Sequence, residues 1–242
     1  MNIFILEHRQ DDTLPVWCSR IAKSYCNEHV NKIISELRQM LEARTIVAGM
    51  NPVELADPKV KKPGYWNHPC SVWLSECVDN WVFGVELAKA LDSEAKKRSG
   101  RVDAHKDLVK IINHFSVAPS SVPGGHMTAF AKAMPDSISK RLKCPVEAYR
   151  AYYATYKSWF ARAEVVDKKH TGKYLAIPSS WTSKTEYAIE EPEWFKRVSV
   201  RRAILSQAIT VWVDVPGRKT KKQMTINSKD QLSNYEQLMT TA

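Results

Sequence analysis

The sequence predicts a mainly α-helical protein with a short N-terminal strand and a small C-terminal β-hairpin appendix. Two observations lead to this fold class. Apolar residues recur every three or four positions through much of residues 1–165, whereas aliphatic residues recur at every second position in residues 209–215. We therefore divide the chain into a helical body, residues 1–165, and a mixed appendix, residues 166–242. The 242 residues, 44% of them hydrophobic, suffice for a sizeable core.

The body begins with a predicted strand and a long predicted helix. Residues 2–6, Asn-Ile-Phe-Ile-Leu, form a short apolar run that is typical of a buried strand. Residues 11–13 offer an N-cap for a helix over about residues 14–47, which Gly49 ends. The apolar stripe of this helix has spacing four and consists of Ile21, Tyr25, His29, Ile33, Leu37 and Leu41.

Three further helices are predicted in the body. Pro69 and Ser71 open the second helix, and Gly100 closes it. A shorter helix starts near Asp103, and a fourth starts at Pro145. The stripe of the second helix consists of Trp73, Cys77, Trp81, Val85 and Ala88.

The appendix contains one clear β signal. In residues 209–215, four aliphatic residues at every second position alternate with Thr210, Trp212 and Asp214, and Pro216 and Gly217 follow directly. Residues 218–222, Arg-Lys-Thr-Lys-Lys, then lead into the second run, residues 223–227. This order predicts a β-hairpin with a basic turn.

Composition restricts the class of protein. Lys and Arg number 36 against 26 acidic residues, and the net charge of +10 favours a polyanionic partner such as DNA. The five cysteines form no CxxC pair, which argues against a zinc ribbon or a disulfide scaffold. The sequence has no metal-binding histidine motif and no nucleotide-binding glycine motif, so we predict neither metal nor cofactor. It also lacks a membrane-length apolar run and a secretory signal, so we expect a soluble intracellular protein.

The first candidate site is on the long helix, where His29, Lys32 and Glu36 are three and four residues apart and share one face. A lysine beside an apolar stripe can lose its proton and act as an amine nucleophile, with a nearby carboxylate as proton relay. The alternative is an ordinary surface Lys–Glu pair next to a core histidine.

The second candidate site surrounds the start of the second helix. His68 lies just ahead of the helix N-terminus, which favours an anion such as phosphate. Glu76 and Asn80 are one turn apart and flanked by Trp73 and Trp81, an arrangement suited to a nucleobase pocket. We expect the Glu76 carboxylate to be partly buried. The alternative is a capping loop followed by a tryptophan-rich core helix.

The third candidate site is a set of DNA contacts. Aromatic and basic residues interleave along and after the fourth helix, which suits base stacking combined with phosphate contact. Tyrosines at helical spacing are also typical of a core, which is the alternative interpretation of Tyr153. Besides Asn80, the candidate DNA contacts are Arg141, Arg150, Tyr153, Lys157, Arg218, Lys219, Lys221 and Lys222.

Five ordered motifs resemble a family of small proteins of tailed bacteriophages, often labelled as relatives of the pyrimidine dimer DNA glycosylase, endonuclease V. The motifs are MNIF (residues 1–4), Cys26-x-x-His29-x-x-Lys32, NHPC-x-x-W-x-x-E-x-x-x-N (residues 67–80), AMPD (residues 133–136) and PVEAYRAYY (residues 145–153). The sequence departs from the family pattern at Tyr25, Asn27, Glu28 and Ser75, where His, Asp, Lys and Arg are usual.

The resemblance implies an amine nucleophile that attacks the sugar C1′ of a damaged nucleotide, usually the N-terminal amine exposed by removal of Met1. Residue 2 is Asn, which is generally too large for methionine excision, so Lys32 is the substitute candidate. Glu36 or Glu76 would be its acid–base partner, and His29 and His68 complete the predicted catalytic set. The resemblance covers about residues 1–165, and the roles that it implies apply at the positions that match these motifs.

We therefore expect a phage protein that binds DNA in the cytoplasm of the infected bacterial host and acts on DNA bases, either as a glycosylase/lyase-like enzyme or as a thymine-modifying enzyme. Two other classes stay open. One is a non-catalytic module that binds nucleic acid or a host protein, such as a defence inhibitor. The other is a virion component that uses the basic hairpin as an attachment arm. Only the enzyme requires His29, Lys32, His68 and Glu76 to line one pocket.

Overall fold

The computed structural model describes residues 2–49, 65–156, 165–166, 174–175, 181, 183–197, 209–214 and 221–226. This described part is mainly helical, which confirms the predicted class. The helices are α1 (Leu14–Ser24), α2 (Asn27–Val47), α3 (Pro69–Leu74), α4 (Val78–Ser99), α5 (Lys106–Phe115), α6 (Asp136–Ser139), α7 (Pro145–Tyr156) and α8 (Glu193–Arg197). The strands are β1 (Val165–Val166), β2 (Tyr174–Leu175), β3 (Ile209–Asp214) and β4 (Lys221–Ile226).

The N-terminal segment, residues 2–6, is buried but has no regular secondary structure. Its backbone groups form hydrogen bonds with side chains and not with a neighbouring strand. The Tyr25 hydroxyl accepts from the Phe4 N–H and donates to the Phe4 carbonyl, each at 2.9 Å. The Arg150 Nε donates to the Leu6 carbonyl at 2.7 Å. The apolar run thus indicates burial correctly, but a strand also needs a partner strand, and none pairs with this segment in the described part.

The predicted helix over residues 14–47 is two helices, because the chain bends at Tyr25 and Cys26. Both residues have extended backbone conformations, with ψ of 142° and 160°. Arg98 of α4 donates to the carbonyl oxygens of Lys23 at 3.0 Å and Tyr25 at 2.8 Å. Carbonyls at the end of a helix need such donors. The prediction of one continuous helix is therefore wrong. The apolar stripe runs through the bend without interruption, so the sequence pattern does not indicate the break.

The predicted second helix is also two helices, α3 and α4, which are separated by residues 75–77. Cys77 has an extended backbone, with φ of −157°, and is the N-cap of α4. Gly84 allows α4 to approach α3 closely, because a Cβ at this position would lie only 2.6 Å from Leu74 Cδ2. Gly100 ends α4 in the left-handed conformation, with φ of 71°, as the sequence predicts.

The core lies between the N-terminal segment and the helices. Helices α1 and α2 both pack against α4, and α5 packs against α2. An aromatic cluster forms where the irregular segment before α6 crosses this bundle, since the Phe130 ring lies 4.7 Å from Trp73 and 5.3 Å from Phe83. No helix in the described ranges is long and apolar enough to cross a membrane.

Part of the predicted appendix packs into the body. Trp181 and Phe195 are 3% and 1% exposed and belong to the same core as the helices. Between them, Thr185 Oγ1 donates to the Lys97 carbonyl at 2.5 Å and the Lys184 N–H donates to the Arg98 carbonyl at 2.7 Å, at the end of α4. The chain therefore returns to the helical body after residue 165.

The strands form two antiparallel pairs, β1 with β2 and β3 with β4. In the second pair Ile209 is opposite Ile226, and Asp214 is opposite Lys221. Lys221 and Lys222 consequently lie in β4. Arg218 and Lys219, which were predicted for the same basic turn, lie outside the described residues.

Candidate functional site around the N-terminal segment

Glu36 connects the first candidate site to the N-terminal segment. Its Oε2 accepts from the backbone N–H of Asn2 at 3.2 Å, and Asn2 is 5% exposed. Lys32 is exposed and lies one turn before Glu36 on α2, so both side chains share a face. The structure thus places the Glu36 carboxylate at the N-terminal segment, with Lys32 one turn earlier on the same helix.

His29 of the same helix turns into the core. It is 2% exposed, and its Nδ1 lies 2.6 Å from the Tyr153 hydroxyl and 3.3 Å from Cys26 Sγ. The Phe4 ring is 5.4 Å away. These contacts correct the expectation that His29 faces a pocket, and they fit the alternative of a core histidine.

Tyr153 is also a core residue, which corrects its prediction as a DNA contact. It is fully buried, and its hydroxyl accepts from the Cys26 N–H at 3.0 Å. Burial raises the pKa of Tyr153 well above its usual value, so the phenol stays protonated. A ring enclosed in this way offers no face to a base.

The start of α3 also lies next to Asn2. His68 is the N-cap of α3, and its Nδ1 accepts from the Cys70 N–H at 3.2 Å. The Cys70 thiol lies 3.7 Å from Asn2 Oδ1 and 3.7 Å from the Tyr149 hydroxyl. Burial raises the pKa of Cys70, which keeps it a thiol instead of a nucleophilic thiolate. Side chains from α2, α3 and α7 therefore all contact the N-terminal segment, through Glu36, Cys70 and Arg150.

Glu76 and Asn80 meet at Thr128 and not on one helical face, because Glu76 lies between α3 and α4. The Thr128 hydroxyl donates to Glu76 Oε2 at 2.6 Å and accepts from Asn80 Nδ2 at 2.7 Å. Glu76 is exposed, which corrects the expected partial burial. Asn80 is fully buried and also donates to the Trp73 carbonyl at 2.7 Å, so it fixes the chain at Thr128 and is not placed to contact DNA.

Arg150 ties α7 to the N-terminal segment. Besides its bond to Leu6, its Nη2 donates to Glu7 Oε2 at 2.8 Å, and its guanidinium lies 5.5 Å from the Trp194 ring centre. These contacts account for much of its hydrogen-bonding capacity and weaken its prediction as a phosphate contact. Arg141 is exposed, and Lys157 lies outside the described residues.

Two cavities accompany these residues. One, of about 480 Å³, is lined by Glu7, Lys23, Arg150, Trp194 and neighbouring residues. The other, of about 410 Å³, is lined by Arg9, Asp79, His126 and three apolar residues. Neither contains His29, Lys32, His68 or Glu76, so these four residues do not share either cavity.

The sequence does not predict the contacts of Asn2 or Thr128. Asn2 is 34 positions from Glu36, and Thr128 is 52 from Glu76, and no local spacing indicates a contact over such separations. Within the described ranges, no group of three His, Cys, Asp or Glu side chains is arranged to hold a metal ion. Comparison of the chain with protein-family models, curated proteins and solved structures finds no match in any of the three.

Proposed function

We propose that the protein binds DNA and acts on its bases as a glycosylase/lyase-like enzyme of a bacteriophage, with the Lys32 amine as nucleophile and Glu36 as its proton relay. The observation that carries this proposal is the 3.2 Å contact between Glu36 and the Asn2 N–H. It places a carboxylate beside the N-terminal segment, one helical turn from an exposed amine. The cytoplasm of the infected bacterium is the proposed location.

The chemistry requires an amine and a group that moves protons. The Lys32 amine attacks C1′ of the deoxyribose, the glycosidic bond breaks, and the base leaves with the bonding electron pair and a proton. The Glu36 carboxylate takes the proton that the amine loses, and its acid form can return one. His68 caps the helix of Cys70, whose thiol contacts Asn2, and the net charge of +10 attracts the DNA backbone.

Borohydride trapping on DNA with an abasic site tests the proposal. The abasic aldehyde condenses with an amine and releases water, and borohydride reduces the resulting imine to a stable protein–DNA bond. We expect a trapped complex from the native chain and a loss of about 100-fold or more in trapping rate in Lys32→Ala, since removal of a nucleophile removes the covalent route. Gel electrophoresis and mass spectrometry of the complex measure it.

Lys110→Ala is the matched control, because Lys110 is also an exposed lysine but belongs to a different helix, α5. It should trap at the native rate, and Glu36→Gln should trap more slowly than the native chain. Trapping that persists in Lys32→Ala would exclude Lys32 as the nucleophile. Absence of trapping and of any base product with ultraviolet-damaged or hydroxymethyluracil DNA would exclude the catalytic proposal.

A non-catalytic module that binds nucleic acid or a host protein is the second candidate. It is favoured by the burial of His29, Asn80 and Tyr153, whose polar atoms are engaged in structural hydrogen bonds. Such a module would use basic surface residues, and the strand pair β3–β4, with Lys221 and Lys222 in β4, would supply a DNA or virion attachment arm. Binding without any change in the DNA would favour this candidate over the enzyme.

A further inference from the structure

Two adjacent aromatic residues project from the turn that precedes α3. Tyr65 is 48% exposed and Trp66 is 51% exposed. The tryptophans Trp17, Trp73, Trp81 and Trp181 are at most 3% exposed. Exposure of half of an indole ring and half of a neighbouring phenol leaves apolar surface in water, which proteins usually reserve for contact with a ligand or partner.

The turn is held in a strained conformation. Tyr65 has φ of 72° and is the only non-glycine residue in the described part with a positive φ. A residue with a Cβ is rarely found there and needs surrounding contacts to keep it in place. The Tyr65 carbonyl accepts from the His68 N–H at 2.9 Å, which closes the turn.

Arg44 of α2 fixes the same turn from the side of the body. Its Nη1 donates to the Trp66 carbonyl at 3.2 Å, and its Nε donates to Ser75 Oγ at 2.7 Å. The two bonds connect the turn to the end of α3. The backbone of the aromatic pair is therefore positioned before any ligand binds, which lowers the entropy lost on binding.

Positive charge accompanies the aromatic pair. The Arg44 guanidinium contacts the turn itself through its hydrogen bond to the Trp66 carbonyl, and the chain carries a net charge of +10. Exposed aromatic rings next to basic residues are the combination with which proteins bind single-stranded nucleic acid, by stacking on bases and neutralising phosphates.

We propose that Tyr65 and Trp66 form a stacking platform for unpaired bases of single-stranded or locally opened DNA. This inference rests on the proposed function, because His68, which closes the turn, is also the N-cap of α3 beside Cys70 and Asn2. A base displaced from the duplex would stack on the platform while its sugar is presented to the N-terminal segment. The platform thus defines the substrate class as DNA with at least one unstacked nucleotide.

The test compares binding of three DNA forms to the full chain. The probes are a thymine oligonucleotide carrying one 2-aminopurine, the same strand in a fully paired duplex, and that duplex with 2-aminopurine unpaired. We expect Trp66→Ala to weaken binding of the unpaired forms by about 5- to 150-fold, the range of one lost stacking contact. Binding of the paired duplex should not change, and quenching of 2-aminopurine fluorescence should disappear.

A second test variant and two controls accompany Trp66→Ala. Trp66→Phe keeps an aromatic face and should restore most of the affinity, and Tyr65→Asn removes the ring with a residue that tolerates a positive φ. Val117→Ala changes another exposed side chain, 80% exposed, and should bind like the native chain. Thermal unfolding of every variant shows whether it is folded.

The outcomes separate the platform from the proposed function. Unchanged affinity in folded Trp66→Ala and Tyr65→Asn, or an equal loss on paired and unpaired DNA, would overturn the platform alone. If the native chain binds none of the three DNA forms, both proposals fail. If the Trp66 effect is present but Lys32 trapping is absent, the platform stands and the catalytic proposal fails.

Discussion

His105 illustrates how a single half-buried side chain is fixed at the start of a helix. It is the N-cap of α5, where its Nδ1 accepts from the Asp107 N–H at 3.2 Å. Its own N–H donates to Asp92 Oδ1 at 2.8 Å. Burial lowers the pKa of His105 from 6.5, and Arg101 and Lys106 lower it further, whereas Asp107 and Asp92 act in the opposite direction. The neutral ring is therefore the form that the fold stabilises.

This residue gives the first stability prediction. Because the folded pKa of His105 is lowered, its contribution is present above pH 6.5 and is lost as the pH falls through the folded pKa. His105→Asn keeps a good N-cap without a titrating group. We expect the native chain to lose more stability than the variant when urea unfolding is measured at pH 8 and then at pH 5. Parallel loss in the two proteins would contradict the prediction.

The junction between α1 and α2 shows how one element depends on others. Arg98 is 5% exposed and bonds to Glu94 of its own helix at 2.8 Å as well as to carbonyls of the preceding junction. Tyr25 at the junction in turn satisfies both backbone groups of Phe4. The bend, the end of α1 and the path of the N-terminal segment are thus stabilised together.

Tyr25→Phe tests this coupling. Removal of the hydroxyl leaves the Phe4 N–H and carbonyl buried without their partner, and we expect a loss of about 2–5 kcal/mol in the free energy of unfolding. Chemical denaturation measures the loss, and hydrogen exchange of the Phe4 amide should become faster.

Tyr65→Phe is the control for the same chemical change at an exposed ring, and it should alter stability by less than about 0.5 kcal/mol. An equally small effect of Tyr25→Phe would show that water or a backbone shift replaces the hydroxyl, and the junction would not depend on it.

In the molecule as a whole, residues of the predicted appendix pack into the core of the helical body. The Phe195 ring lies 4.9 Å from Trp181 and 6.5 Å from Tyr153, and Tyr187 donates to Glu94 Oε2 at 3.1 Å. Burial and the adjacent Glu94 carboxylate raise the pKa of Tyr187 to about 12, so this bond persists through the neutral range. The segment around these residues contributes to the stability of the body.

Phe195→Ala tests that contribution. Truncation of a fully enclosed aromatic ring should cost about 3–5 kcal/mol in the free energy of unfolding, because it removes buried apolar surface and leaves a cavity. Urea unfolding measures it, with Val117→Ala as the exposed control. A change below about 1 kcal/mol would show that the segment does not stabilise the body.

Local patterns predict the fold well and its interruptions poorly. The stripe of Ile21, Tyr25 and His29 is buried as expected, and Gly100 ends α4 where the sequence places the end. The bends near Tyr25 and Ser75 carry no local signal, because their hydrogen-bond partners come from distant elements. Periodicity indicates which side of a helix is apolar, but it does not indicate contacts between elements.

In the candidate site, too, some features follow from the sequence and others only from the tertiary structure. The sequence by itself determined the positive charge, the helical class and the placement of Lys32 and Glu36 on one helical face, because these depend on composition and on spacing within one element. Only the tertiary structure decided that Glu36 meets Asn2, that His29 and Tyr153 are enclosed, and that Glu76 is exposed. The physical reason is that burial and hydrogen-bond partners are set by side chains from elements far apart in the chain, and these come together only when the helices pack.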